Sequence, residues 1–191
     1  MTLLADAVGL LERAIGYALG SIAAVTPQLL PRPTPCPRWD LRALLRHLDD
    51  SLGALYEGID TGRVGLFGVD APPGPDLVAT FRDRAGQLLA AWTAAGPRDR
   101  VIAIAGCPLP ASLVASTGAI EIAAHGWDVA RACGQHRPIP PTLAVDLLTI
   151  ARPLVPEATR HPRFAAPVAV RPGAAPGDRL VAFLGRRPDG G

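Results

Sequence analysis

The sequence predicts an all-α fold, a bundle of four long helices with short additional C-terminal helices. Three observations lead there. An apolar stripe at helical spacing runs without a gap from Leu41 to Ile59, the segment Pro110 to Ala132 is apolar or small nearly all round, and strand signals are almost absent. Helices of this kind bury their apolar faces against one another, and sites in such bundles form between facing helices.

The first helix is expected from Thr2, a suitable N-cap, to about Val25, with Leu3, Leu4, Val8, Leu11, Ala14, Ile15, Ala18 and Ile22 at helical spacing and Pro27 ending it. Pro27 to Arg38 contains five prolines, each removing a backbone donor and restricting its neighbour, and reads as an extended connection pinned by Trp39. Asp40 caps the second helix, which carries Leu41, Leu44, Leu45, Leu48, Leu52, Leu55 and Ile59. A Gly- and Pro-rich stretch, Thr61 to Pro75, leads to a third helix over about Asp76 to Ala95, which Gly96-Pro97 stops. Val101 to Ala105 fits either a strand or an apolar connection. The fourth helix, Pro110 to Ala132, stops at Gly134. A fifth starts near Pro141 and is kinked or ended by Pro153 and Pro156, and a short helix over Asp178 to Leu184 closes the chain. No internal repeat is visible, and at 191 residues the chain is expected to form one domain, with core helices over about 2–134 and C-terminal helices and tail over 135–191.

Composition excludes several classes. All 19 basic residues are arginine, lysine and asparagine are absent, and the net charge is only +2 with no basic run, so nucleic acid is not an expected partner. Met1 to Val25 is apolar enough to mimic a signal peptide, but Asp6, Glu12 and Arg13 interrupt it and no basic region precedes it. No other stretch is long enough to span a bilayer, so no membrane association is expected. Cys36, Cys107 and Cys133 are odd in number and lack a C-x-x-C spacing, which fits a reducing cytoplasm better than a disulfide framework.

Chemistry concentrates on the fourth helix. Glu121, His125 and Asp128 stand at i, i+4 and i+7 and share one face of an otherwise apolar helix. A carboxylate buried there requires a cationic partner, and a divalent metal ion would supply one. Glu and His one turn apart can bind the same ion, with zinc as the first candidate. His47 lies about 60° from Leu44 and about 100° from Leu48 around its helix, at the border of the apolar stripe, where it can serve as a third ligand. Two histidines and one glutamate leave a fourth position open, the arrangement of catalytic rather than structural zinc. The alternative is a hydrogen-bonded Glu121–His125 core pair with an unrelated, partly exposed His47.

The chain resembles the DinB-like superfamily, and within it the actinobacterial metal-binding proteins related to mycothiol-dependent maleylpyruvate isomerase. Three segments carry the resemblance: Thr34-Pro35-Cys36-Pro37-Arg38-Trp39-Asp40-Leu41 with Leu44-Leu45-Arg46-His47-Leu48, then Glu121-Ile122-Ala123-Ala124-His125-Gly126-Trp127-Asp128-Val129-Ala130, then Arg179-Leu180-Val181-Ala182-Phe183-Leu184-Gly185-Arg186. The resemblance implies an up-and-down four-helix bundle with His47, Glu121 and His125 as metal ligands, and mycothiol as a thiol cosubstrate. The isomerase carries a further C-terminal domain, for which the roughly 55 residues after Gly134 are too few. Its own reaction is therefore not implied.

The remaining polar residues are assigned blander roles. Asp128 is expected to orient a ligand histidine or act structurally. Trp39 and Trp127 are expected in the core, His136 and His161 on the surface, and Arg131, Arg137 and Arg152 on a solvated face, while Tyr56, Cys36 and Cys107 receive no chemistry. The leading functional expectation is a metal-dependent enzyme that activates a small thiol for S-transfer or isomerisation on a small unsaturated acid, quinone or other activated carbon. A thiol-independent lyase, cyclase, isomerase or hydrolase is the second, and a non-catalytic metal-stabilised sensor or interaction module the third. Nickel and iron suit the same donor atoms as zinc, and a homodimer is compatible with the broad helical faces.

Overall fold

The structure, a computed structural model, describes residues 6–37, 39–65, 76–95, 100–160 and 164–188. Six helices are present in it: α1 (Ala7–Ile22), α2 (Leu41–Thr61), α3 (Leu77–Ala94), α4 (Ala111–Ala132), α5 (Pro141–Leu154) and α6 (Pro176–Phe183). Three short strands, β1 (Arg63–Val64), β2 (Val101–Ile104) and β3 (Cys107–Pro110), form a small sheet in the order β1-β2-β3. The fold is therefore mostly helical with a minor sheet.

Local chemistry sets the helix ends. Asp40 Oδ1 accepts from the Ala43 amide at 2.8 Å, and Asp76 Oδ1 accepts from Val78 and Ala79 at 3.0 Å, so both expected caps satisfy amides that the first turn leaves free. Gly134, at φ +74°, ends α4 as Ala130 and Arg131 accept from the amides of Gln135 and Gly134. Helix α1 begins after Asp6, whose side chain makes no capping bond. Thr2, Gly96-Pro97, His161 and most of the Gly- and Pro-rich stretch before α3 lie outside the described residues.

Packing follows the apolar stripes. Helix α1 lies along α4, α2 lies between α3 and α4, and α3 also meets α1, while α5 covers α4 and α1 and carries α6. Leu10, Leu11, Ile15, Leu44, Leu48, Leu52, Phe81 and Leu88 are completely or almost completely buried in this core. Helix α4 is the most enclosed, with seventeen buried residues among its 22, as its lack of a polar face requires.

Two expectations change. The segment after α1 is not extended throughout: Pro27–Leu29 forms a 3-10 turn, and Pro33 bridges Asp40. Thr34 organises its tip, its hydroxyl accepting from the Cys36 amide at 3.1 Å and reaching the Trp39 carbonyl at 2.9 Å. The chain is also not all-α, because Val101 to Ala105, which fitted either a strand or an apolar connection, supplies β2 and pairs antiparallel with β3. Pro108 and Pro110 alternate along β3, so both missing donors face away from β2 on an edge strand. The hairpin turns at Ala105 and Gly106, both with positive φ (53° and 80°). Ile102 is buried and packs beside Gly58 of α2, where a Cβ would stand only 3.1 Å from its Cγ2.

Candidate metal centre

Helices α2 and α4 bring His47, Glu121 and His125 together. His47 Nε2 lies 2.6 Å and His125 Nε2 3.2 Å from the same carboxylate oxygen, Glu121 Oε1. One donor atom from each residue falls within 4.8 Å of the others. The His47 and Glu121 side chains keep about a third of their surface exposed (32% each), whereas His125 is 6% exposed. The cluster therefore opens to solvent along its His47 and Glu121 side and is closed behind His125.

A carboxylate between two imidazoles is under strong electrostatic influence. Burial alone would raise the Glu121 pKa, but hydrogen bonds to His125 and His47, with their charge, outweigh it and hold the carboxyl well below its usual range. For His125, burial opposes the charged form, but bonds to Asp128, Cys36 and Glu121 lift its pKa well above the usual 6.5. Near neutral pH His125 thus carries a proton that a cation at Nε2 must displace, so cation binding strengthens as pH rises toward the His125 pKa. Zinc binding at pH 7 is expected to release about one proton per ion, read by titration calorimetry in buffers of different ionisation enthalpy. Binding with no proton release would contradict this assignment.

Asp128 lies against the His125 ring on the side away from Glu121. Its Oδ2 stands 2.9 Å from His125 Nδ1, which leaves Nε2 aimed at Glu121. The carboxylate is wholly buried, and the guanidinium of Arg186 meets it with Nη2 at 2.9 Å from Oδ2 and Nε at 3.4 Å from Oδ1. Burial would raise the Asp128 pKa, but the charge of Arg186 and the bonds from His125 and Arg186 hold it down.

Cys36 joins the same group, its Sγ 3.4 Å from Asp128 Oδ2 and 3.9 Å from His125 Nδ1. Cys36, His125 and Asp128 form a second three-residue group of metal-binding types, sharing His125 with the first. Sequence reasoning assigned no chemistry to Cys36 and overlooked Arg186. Both lie in the segments that carry the family resemblance, but nothing in their spacing relates them to α4. Trp39, expected in the core, is only half-buried: its ring stands 4.4 Å from the His47 ring and 5.7 Å from the His125 ring, so it walls the cluster. Trp127 is buried as expected, with Arg131 over its ring at 5.7 Å. His136, Arg137 and Arg152 are exposed, as expected. Tyr56 is exposed, and so is Cys107.

The donor set suits a divalent ion of the zinc, nickel or iron type. Two imidazole nitrogens and one carboxylate match the ligands these metals share, and the one strongly aligned carboxylate supplies the negative charge. Among the described residues no helix is long and apolar enough to cross a membrane.

Comparison with known proteins identifies a family. Two proteins of Mycobacterium tuberculosis, from strains CDC 1551 / Oshkosh and ATCC 25618 / H37Rv and both named only as uncharacterized, are each 30% identical over 178 residues, covering 92% of this chain and 94% of theirs. No solved structure matches the chain significantly. Residues 11–130, which include His47, Glu121 and His125, match the family described as the mycothiol maleylpyruvate isomerase N-terminal domain. The chain belongs to that family.

Proposed function

We propose that the chain is a zinc-dependent enzyme that uses a low-molecular-weight thiol, mycothiol, in S-transfer to or isomerisation of a small electrophilic substrate. The observation that carries this reading is the half-open cluster, three convergent donors with exposure on the His47 and Glu121 side only. Family membership supports the choice of thiol. The ion, when bound, supplies Lewis acidity that lowers the pKa of a thiol.

The chain's own residues do the rest. His47, Glu121 and His125 would hold the ion, and with Glu121 as the one anionic donor a divalent ion would keep net positive charge to favour a thiolate. Asp128 fixes the His125 ring through Nδ1. Trp39 shields the imidazoles from water and offers an apolar wall to a substrate. We read α1 to α4 as one four-helix bundle forming a single domain with the C-terminal helices, supported by the cycle of contacts α1–α4–α2–α3–α1. Its crossed order replaces the expected up-and-down one because, among the described residues, α1 and α2, and α3 and α4, are not packed as neighbours. The absence of a disulfide among the three cysteines is consistent with a cytoplasmic setting.

The test is substrate conversion, with thiol consumption followed alongside to separate S-transfer from isomerisation, against a panel of unsaturated carboxylic acids and quinones, with zinc-loaded and chelator-treated protein, with and without mycothiol. Conversion that needs both zinc and mycothiol is expected. Zinc-dependent turnover without any thiol would replace this reading by thiol-independent metal catalysis.

A further inference from the structure

Arg186 lies beyond residues 11–130, the stretch matched to the isomerase N-terminal domain, yet it reaches the heart of the candidate metal centre. Its route there is built into the backbone. Helix α6 ends at Phe183, and the chain reverses through Gly185 at φ +86°, whose amide donates to Ala182 while that of Arg186 donates to Val181 at 2.9 Å. This is the glycine-terminated helix end in which only a residue free of Cβ strain sits well, and a Cβ on Gly185 would also stand 2.8 Å from that of Ala165. Arg160 fastens the same end, donating to the Phe183 carbonyl at 2.7 Å and the Ala165 carbonyl at 3.2 Å. Arg186 therefore leaves α6 in one direction, with its Nη1 held by the Leu184 carbonyl at 3.1 Å.

The guanidinium then occupies the place of a cation in the second group of potential ligands. It meets both oxygens of Asp128, and its Nη2 stands 3.6 Å from Cys36 Sγ. Arg186 and Asp128 are 11% and 0% exposed. A buried pair of this kind is seldom retained for stability alone, since desolvation of the two charges consumes most of what their attraction returns. What this pair does control is the neighbouring ring, because the Asp128 oxygen nearest to Nη2 is the one that faces His125 Nδ1.

We propose that Arg186 is a positioning residue: it holds Asp128 so that Asp128 fixes the His125 ring with Nε2 toward Glu121 and His47, which makes the C-terminal segment an integral part of the metal centre. This rests on the metal reading of His47, Glu121 and His125, and it adds that residues 11–130 alone leave the centre loose. Cys36 fills the remaining side of the guanidinium, its Sγ 3.6 Å from Nη2.

The experiment is a double-mutant cycle on the full chain with Arg186→Met, Asp128→Asn and both together. Zinc affinity is read by competition with a chromophoric chelator, and folding by thermal denaturation. Each single variant is expected to weaken zinc binding about 10- to 100-fold, the cost of losing an outer partner of a ligand histidine. The double variant is expected to be no weaker than the worse single one, because both act through one ring. Arg186→Lys, which keeps the charge but not the two-pronged contact, should recover part of the loss. Unchanged zinc affinity in Arg186→Met would overturn the proposal, as would fully additive losses or a lowered melting temperature with normal affinity in the folded protein.

A second readout needs no metal. The His125 Hδ1 proton, held by Asp128, should give a protected downfield NMR resonance that broadens or disappears in Arg186→Met. If wild-type protein binds no zinc but shows this loss, the metal reading fails while the positioning of His125 by Arg186 stands. If the resonance is unaffected, the positioning role is refuted whatever the zinc result.

Discussion

Glu121→Gln is expected to lower zinc affinity by more than the roughly 10- to 100-fold that loss of an outer partner costs, because it removes a direct donor. Gln keeps the shape and the hydrogen-bonding reach of Glu but not its charge, and Glu121 is the one anionic member of the three-residue cluster. It is also the group that both imidazoles approach, at 2.6 and 3.2 Å. The substitution sits on a partly exposed side chain, so helix content by circular dichroism should not change. Equal zinc affinity in wild type and Glu121→Gln, measured against the same chelator, would show that this carboxylate is not a ligand.

Gly126→Val should produce a large loss of stability without touching a polar group of the centre. Gly126 follows His125 on α4 and faces α1, where even a Cβ would stand 3.0 Å from the Ala18 Cα and 3.1 Å from its Cβ. Backbone cannot rotate away as a flexible side chain can, so the two helices must separate. Overpacking of this kind costs about 3 kcal/mol, which for a chain of this size corresponds to a melting temperature lower by roughly 10 °C. Gly126→Ala should cost much less, since a contact of 3.0 Å is relieved by a shift of a few tenths of an ångström. Similar melting temperatures for the Val variant and wild type would mean that α1 and α4 are not so closely apposed.

Much of this architecture can be read in the sequence because much of it is governed locally. Asp40 and Asp76 cap their helices and Gly134 ends one through bonds to neighbours a few residues away, so residue type and position suffice to identify them. Glu121, His125 and Asp128 are conspicuous for a related reason: a helix as enclosed as α4 has no solvent face on which to place charges. His47 was also accessible, from its place at the border of the α2 stripe.

The remainder depends on contacts between distant segments. Strand β3 contains two prolines in four residues, which argues against a strand until its outer edge is known to lack a neighbour. Its hairpin turns through Ala-Gly rather than the Asn-Gly or Asp-Gly that signals such turns. Trp39 resembled a core residue because nothing in its neighbourhood reveals that the Thr34 turn would lay it across two imidazoles. Arg186 is separated from Asp128 by 58 positions, and in a chain whose only basic residues are arginines its type conveys little.

The most direct test of the account is the metal content of the protein as purified, by mass spectrometry, for wild type and His47→Ala prepared identically. The account predicts close to one zinc per wild-type chain and almost none in the variant. No stoichiometric metal in the wild type, even after reconstitution with zinc, would contradict it and leave His47, Glu121 and His125 as a hydrogen-bonded cluster without an ion.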